Sequence, residues 1–200
     1  SRSIASTNRM LDSAEGLFSE GGADAMTVEA IIERSGTSAG AFYARFGDRD
    51  GLLQALHDRF LGKLHELVGG IVMEGLAQPS LAAAVSVMVH GSLQVAHQHT
   101  QSLAFFVLFK ASDPRLKMQG IAANNGFAEA FRQVAMHHSS EIRHPKPAQA
   151  VDVAFRMLHA MLVQAVMFRA RDLTGRPMAD KTLAQQVSRA LTAYLTEADA

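Results

Sequence analysis

In the first quarter of the chain, the residues with chemistry to offer are hydroxyls and cations near the starts of short helical segments. Thr27, Thr37 and Ser38 carry hydroxyls, Tyr43 a phenol, and Arg45 and Arg49 guanidinium groups. A hydroxyl beside a helix N-terminus suits an anion, because free N–H groups point outward there and the helix dipole favours negative charge. A phosphate fits such a place, and a nearby arginine adds charge and a planar fork of donors. The remaining candidates are histidines and carboxylates. Glu141 and His144 have the Glu-x-x-His spacing of a di-iron bundle, but the motif occurs once, beside Pro145. His65 and Glu66 begin like a metalloprotease helix, yet Gly69 stands where the second histidine belongs. Neither His97 with His99 nor His137 with His138 puts both rings on one helical face. No Ser-His-Asp set is marked by spacing, and no Gly-rich phosphate loop is present. There is no Cys, which excludes thiol redox chemistry, a disulfide scaffold and Cys-ligated zinc. The expectation is no metal, no cofactor and no catalytic set.

Helices must position these groups, and helical periodicity runs through the chain. Ile4, Leu11, Ala14, Leu17 and Phe18 stripe a first helix that Gly21 and Gly22 stop. Thr27 caps a second, with Glu29 in its first turn and Val28, Ile31 and Ile32 inward; Gly36 ends it. Ser38 opens a third, 38–45, which Gly47 closes. Asp48 caps a fourth that carries Leu52, Leu53, Leu56, Phe60, Leu64 and Leu67 and is expected to fade at Gly69, Gly70 or Gly75. Pro79 marks the start of a fifth, apolar almost all round from Leu81 to Ala96 and therefore enclosed. Helices over 101–110, 114–138, 147–172 and 180–197 follow. Asp113 with Pro114, and then Pro147, open two of them, and 174–177 is a turn. The prediction is an all-α protein of nine helices without strands or repeats. No Asp, Glu, Lys or Arg occurs from Gly75 to Phe109, but Pro79, His90, His97, His99 and four glutamines do. A spanning helix wants about 20 mainly apolar residues in a row. The segment is therefore expected to be core, with no membrane partner.

The stretch from Met26 to Leu56 thus reads as a capped helix, a glycine turn, a short helix, a second glycine turn and a long capped helix. A helix-turn-helix has this form, and its second helix enters the DNA major groove. In detail the segment resembles the DNA-binding signature of the TetR family of transcriptional regulators. Gly36 takes the turn, Ser38 starts the recognition helix, Gly40 follows, and Tyr43 and Phe46 stand at the family's aromatic positions. Arg49 replaces the family's usual Lys, Asp48 its Ser and Asp50 its Glu. Upstream, Ala14, Leu17, Phe18, Gly22 and Thr27 fit the first two helices.

The resemblance implies DNA contacts from Thr27, Thr37, Ser38, Ala39, Gly40, Tyr43, Arg45 and Arg49, with Phe42, Phe46, Leu52 and Leu53 as core. It also implies a helix-turn-helix domain over 1–47, linked through the helix at 48–68 to an effector-binding and dimerisation domain over 48–200. The natural boundary lies inside the fourth helix, near Leu56 to Leu64. The implied function is a cytoplasmic, homodimeric, ligand-responsive regulator, not an enzyme, that represses and leaves its operator when a small apolar effector binds. The recognition helix departs from the family in carrying Ala39, Ala41 and Ala44 where polar residues are usual. Readout is therefore expected to lean on thymine methyls, Tyr43, Arg45 and DNA shape.

The charge balance runs against a nucleic-acid binder. Nineteen basic residues face nineteen acidic ones across 200 residues, a net of +0. Residues 1–60 hold six basic side chains (Arg2, Arg9, Arg34, Arg45, Arg49, Arg59) and nine acidic ones, a net of −3. DNA binders ordinarily carry a basic footprint. The expectation is a local positive surface from Arg45, Arg49 and an arm with Arg2 and Arg9, while Glu15, Glu20, Asp24 and Glu33 face away. Asp48 and Asp50 serve the fourth helix's own N-terminus. The chain begins at Ser1, so native residues before it are expected.

In the second half, the uncharged middle suggests an effector pocket, since such pockets are mainly apolar with a few placed polar groups. The residues expected to line it are His90, Gln94, His97, Phe105, Phe106, Phe109, Phe127, Phe131, Met157, Met161, Gln164 and Phe168. Two stripes suggest a dimer interface: Phe155, Leu158, Leu162 and Val166 on one helix, and Leu183, Val187, Leu191 and Tyr194 on the last. The competing readings are a helical ligand carrier or metal-dependent enzyme without DNA binding, and an adaptor that has lost it.

Overall fold

The computed structural model describes residues 2–109, 113–168 and 175–197. The side chains of Arg2 and Phe109, and the helix and turn ends expected at Lys110, Asp172 and Thr174, lie outside the described residues. Among the described residues the chain is all-α, with nine α-helices and no strand. They are α1 (Arg2–Ala25), α2 (Val28–Ser35), α3 (Ala39–Phe46), α4 (Arg49–Leu76), α5 (Leu81–Gln98), α6 (Thr100–Phe109), α7 (Pro114–His137), α8 (Pro147–Met167) and α9 (Asp180–Thr196). A 3-10 turn, Ser139–Glu141, follows α7. The chain divides into two compact units, residues 1–63 and 64–200, with the division inside α4.

The first unit is built from short helices held by local signals. Helical geometry in α1 breaks at Gly22, whose φ of 70° and ψ of −163° suit a residue without Cβ. Gly36 ends α2 in the left-handed region at φ 60°, and the Thr37 N–H closes the turn on the Ile32 carbonyl at 3.2 Å. Met10, Leu11, Ala14, Met26, Ile31, Phe42, Leu52, Leu53, Leu56 and Phe60 form its core, and Phe42 is completely buried. α1 packs on α2, and α2 on α3.

The second unit is built around α5. This helix packs against α6, α7, α8 and α9, which explains why its sequence is apolar on nearly every side. Leu81, Val85, Met88, Val89, Phe131, Val134, Val151, Leu158, Leu191 and Leu195 fill the core. Of the three glycines at which α4 is expected to fade, the helix passes Gly69 and Gly70 and ends one residue beyond Gly75, at Leu76. A Cβ on Gly75 would lie 2.9 Å from Val134 Cγ1, and one on Gly91 would lie 2.8 Å from Ile71 Cγ1. Close packing at these glycines accompanies a helix that their propensity alone would weaken. α5 starts not at Pro79 but after Ser80, whose side chain accepts from the Ala83 N–H at 3.3 Å.

α8 is the one helix among the described residues long and apolar enough to cross a membrane by length and composition. Ala150, Val151, Ala154 and Leu158 bury one side of it in the unit's own core. Only 28% of its most apolar window is buried, so much of its apolar surface faces outward.

Candidate nucleic-acid interface

The helix-turn-helix is assembled by three caps in succession. Thr27 Oγ1 accepts from the Ala30 N–H at 3.2 Å, Ser38 Oγ from the Ala41 N–H at 3.2 Å, and Asp48 Oδ1 from the Gly51 N–H at 2.8 Å. Each fixes the first turn of α2, α3 or α4. Capping uses only the acceptor side of Thr27 and Ser38, and a hydroxyl keeps one O–H donor, which can point to a phosphate. Thr37 is partnered inside the unit: its hydroxyl lies 2.7 Å from Ser35 Oγ.

α3 presents two faces. Phe42 is buried and rests edge-on against Tyr43, with ring centroids 5.5 Å apart, and 5.2 Å from Phe46. Ala39, Gly40, Tyr43 and Ala44 are exposed, Tyr43 to 53%. Successive residues turn about 100° round a helix, so these four fall within an arc of about 140°. Arg45 is also exposed. It lies about 100° beyond the edge of that arc. Tyr43 and Arg45, both expected to contribute to readout, leave the helix on different sides. Ala44, absent from the expected contacts, belongs to the exposed arc; its place four residues after Gly40 is the sequence signal for it.

The cations are arranged differently from the expected positive arm. Arg9 Nε donates to the Ser35 carbonyl at 3.3 Å, stitching α1 to the turn. Arg34 forms a two-pronged pair with Glu20, at 2.7 and 2.6 Å. The Arg34 hydrogen bonds hold the Glu20 carboxyl below the usual carboxylate range, and Glu20 in turn raises the Arg34 guanidinium. Arg59 pairs with Asp12 and Glu15, and Lys63 with Glu15 at 3.0 Å. Arg49, expected on phosphate, donates through Nη2 to the Ala23 carbonyl at 2.9 Å, just past the Gly22 break. No sequence signal foretells these pairs, because their partners lie 14 to 48 residues apart and meet only when the helices pack. Three of the nine acidic side chains, Asp12, Glu15 and Glu20, are offset by neighbouring cations.

In the second unit the expected effector residues that the structure describes have varied settings. His90 Nδ1 lies 2.9 Å from the Ser86 carbonyl, and His97 Nδ1 lies 3.1 Å from Asp180 Oδ2. Gln94 is exposed. Phe105 and Phe106 stack edge-on at 5.1 Å, as do Phe127 and Phe155 at 5.2 Å. Phe131 is embedded in the core. Met161 and Gln164 are half-buried, whereas Met157 and Phe168 open to solvent. An open groove of about 380 Å³ between α5 and α9 is lined by Ala82, Ser188, Arg189, Thr192, Ala193 and Thr196, none of them an expected effector contact.

The expected dimer stripes need correction as well. Leu158 and Leu191 are fully buried within the single chain, so no partner subunit can reach them. Phe155, Leu162, Leu183, Val187 and Tyr194 pack half-buried against the same core, and Val166 is half-buried too. The outward stripe of α8 is instead Met157, Ala160, Val163 and, partly, Met167. Glu141, half of the lone Glu-x-x-His, accepts from the Leu81 N–H at 3.1 Å and so caps α5. Among the described residues no three His, Asp or Glu side chains gather as a metal site needs.

Residues 10–56, which hold all three caps and the recognition helix, match the family of bacterial regulatory proteins named for TetR. This segment carries the TetR-type helix-turn-helix. The chain is similar to the HTH-type transcriptional regulator BetI of Cronobacter sakazakii, 26% identical over 169 residues that cover 84% of this chain and 80% of that one. Its fold is that of solved TetR-type regulators. FadR from Bacillus subtilis, in complex with stearoyl-CoA, aligns with TM-score 0.68 at 14% identity over 93% of this chain and 97% of that one. A TetR/AcrR-family regulator from Thermobifida fusca aligns with TM-score 0.71 at 14% identity over 93% and 96%. Like the proteins it is similar to, the chain is a DNA-binding transcriptional regulator.

Proposed function

We propose that this regulator is a homodimeric repressor of the bacterial cytoplasm that leaves its operator when a small, largely apolar effector binds within residues 64–200. The observation that carries the reading is the capped α2–α3 pair with its exposed arc at Ala39, Gly40, Tyr43 and Ala44. Thr27, Ser38 and the ends of their helices meet phosphates, and Thr37 stays a buttress of the turn. Arg45 supplies a flanking phosphate contact, since no hydrogen bond or ion pair ties it down among the described residues.

Dimerisation is supported by the outward stripe of α8. An exposed apolar patch of that kind marks an interaction surface, and a two-fold operator needs two recognition helices about 34 Å apart. Met157 and Phe168 then belong to the partner-facing side rather than to a pocket. The effector side draws on the half-buried aromatics Phe105, Phe127 and Phe155, together with the half-buried His90, Met161 and Gln164. The stearoyl-CoA held by the Bacillus subtilis FadR is consistent with an apolar effector class. Because α4 carries residues of both units, a ligand-dependent shift of α4 would change the spacing of the two recognition helices. An effector acts only through its preference for one of the two states.

The test is fluorescence anisotropy on the protein's own upstream region across a salt series. Saturable binding that weakens as salt rises, reversed by an acyl-type ligand, is the expected result. Absence of duplex binding at low salt would refute the regulator reading. Binding that no apolar ligand reverses would refute the effector.

A further inference from the structure

The recognition helix is unusual in what it offers DNA. Its exposed arc carries two alanine methyl groups, one glycine and one phenol, and no charged group. The other cations of the unit that can be traced are engaged elsewhere: Arg9 on a carbonyl, Arg34 and Arg59 on carboxylates, Arg49 on a carbonyl. Gly40 adds an independent clue. Its φ is not positive, and a Cβ placed on it would meet nothing nearer than Ser38 Oγ at 4.0 Å. No internal packing and no backbone strain therefore requires glycine here. Glycine inside a helix costs about 1 kcal/mol relative to alanine. The reason for it lies outside the chain, in something that approaches the backbone closely.

In the major groove the apolar feature of a base pair is the C5 methyl of thymine, which alanine and similar side chains contact. An arc of methyl groups with one close-approach point matches that feature and little else in the groove. We propose that Ala39, Gly40, Tyr43 and Ala44 select operators by the position of pyrimidine C5 methyl groups. Ala39 and Ala44 pack on methyls, Gly40 admits the DNA within contact distance, and the Tyr43 hydroxyl supplies the one hydrogen bond from the arc. A methyl on cytosine at the same place satisfies the arc as thymine does. This inference rests on the reading of α3 as the recognition helix.

The experiment begins with selection of bound duplexes from a random library by the full chain at low salt, followed by anisotropy on the chosen site. Uracil then replaces thymine one position at a time. Affinity falls roughly fourfold for each contacted methyl removed, the value of about one buried methylene. It is unchanged for uracil outside the selected positions, and cytosine bearing a 5-methyl at a contacted position restores it. Uracil changes only the DNA, so no folding defect can mimic the loss. Gly40→Ala provides a second measurement: the fold becomes more heat-stable, while affinity drops on the order of tenfold from steric overpacking.

If the library yields no bound duplex, the DNA-binding reading itself fails. If a duplex is selected and uracil is tolerated at every position, the methyl proposal is overturned. Equal losses inside and outside the selected positions overturn it too, because they would report DNA shape. Undiminished affinity in Gly40→Ala overturns the close approach.

Discussion

The two units of this protein solve the problem of exposed surface in opposite ways. In residues 1–63 short helices are fixed by caps and glycine turns, most of the described cations are tied to carboxylates or carbonyls, and the exposed arc of α3 is small and neutral. In residues 64–200 long helices surround α5, and α8 leaves an apolar stripe uncovered. The first unit is finished as a fold. The second leaves an apolar face that a partner surface would cover. Local hydrogen-bond chemistry specifies the one, and bulk burial the other.

That contrast breaks most severely in the core of the first unit. Phe42→Ala should cost about 3–5 kcal/mol, because a fully buried aromatic leaves a cavity that short helices cannot close. Urea denaturation of the full chain would show an early transition, and duplex binding would vanish with it. An unchanged midpoint would mean that α3 is not held by its core.

The second break concerns α8. Val163→Glu places a charge on the outward stripe, where Val163 is 38% exposed. Sedimentation should show monomer in place of dimer, with helical circular dichroism unchanged. The same substitution at Leu158 should unfold the unit, since an unpaired charge would be buried in its core. A dimer that survives Val163→Glu would move the interface elsewhere.

A smaller effect sharpens the role of the caps. Ser38→Ala removes the acceptor for the Ala41 N–H and should destabilise the chain by about 1 kcal/mol. Operator affinity should fall further than stability does, because the hydroxyl donor to phosphate disappears as well. Equal affinity in mutant and parent would confine Ser38 to capping.

The smallest effect comes from Glu20 and Arg34. The Glu20 carboxyl is held below its ordinary value of 4.5 by the Arg34 hydrogen bonds, so the folded state favours the charged form. The stabilisation is present above the unfolded value and is lost as pH falls through the lowered folded one. The pair is exposed, so the gain is slight. Melting curves of Glu20→Gln and the parent should differ slightly at neutral pH and converge in acid; a gap that widens in acid would reverse the assignment.

Much of this architecture was legible in residue order. Thr27, Ser38, Asp48 and Asp113 act as caps, and Gly22 and Gly36 break helices, because each acts on backbone groups within four residues. The helix-turn-helix and its likeness to the TetR type followed from the same short-range signals. The expected positive arm was not legible, since Arg9 and Arg49 find carbonyls 26 residues away only when α1 and the later helices pack. The facing of the dimer stripes was not legible for a related reason. Periodicity shows that Leu158 and Met157 lie on different sides of α8, but not which side meets the rest of the chain.

Sequence by itself therefore determined the helices, their ends and the DNA-reading motif, because these depend on neighbours along the chain. Tertiary structure decided which described cations remain unengaged, which stripe of α8 is left outside, and which side of α3 is buried. Those depend on distances between helices, which no local pattern encodes.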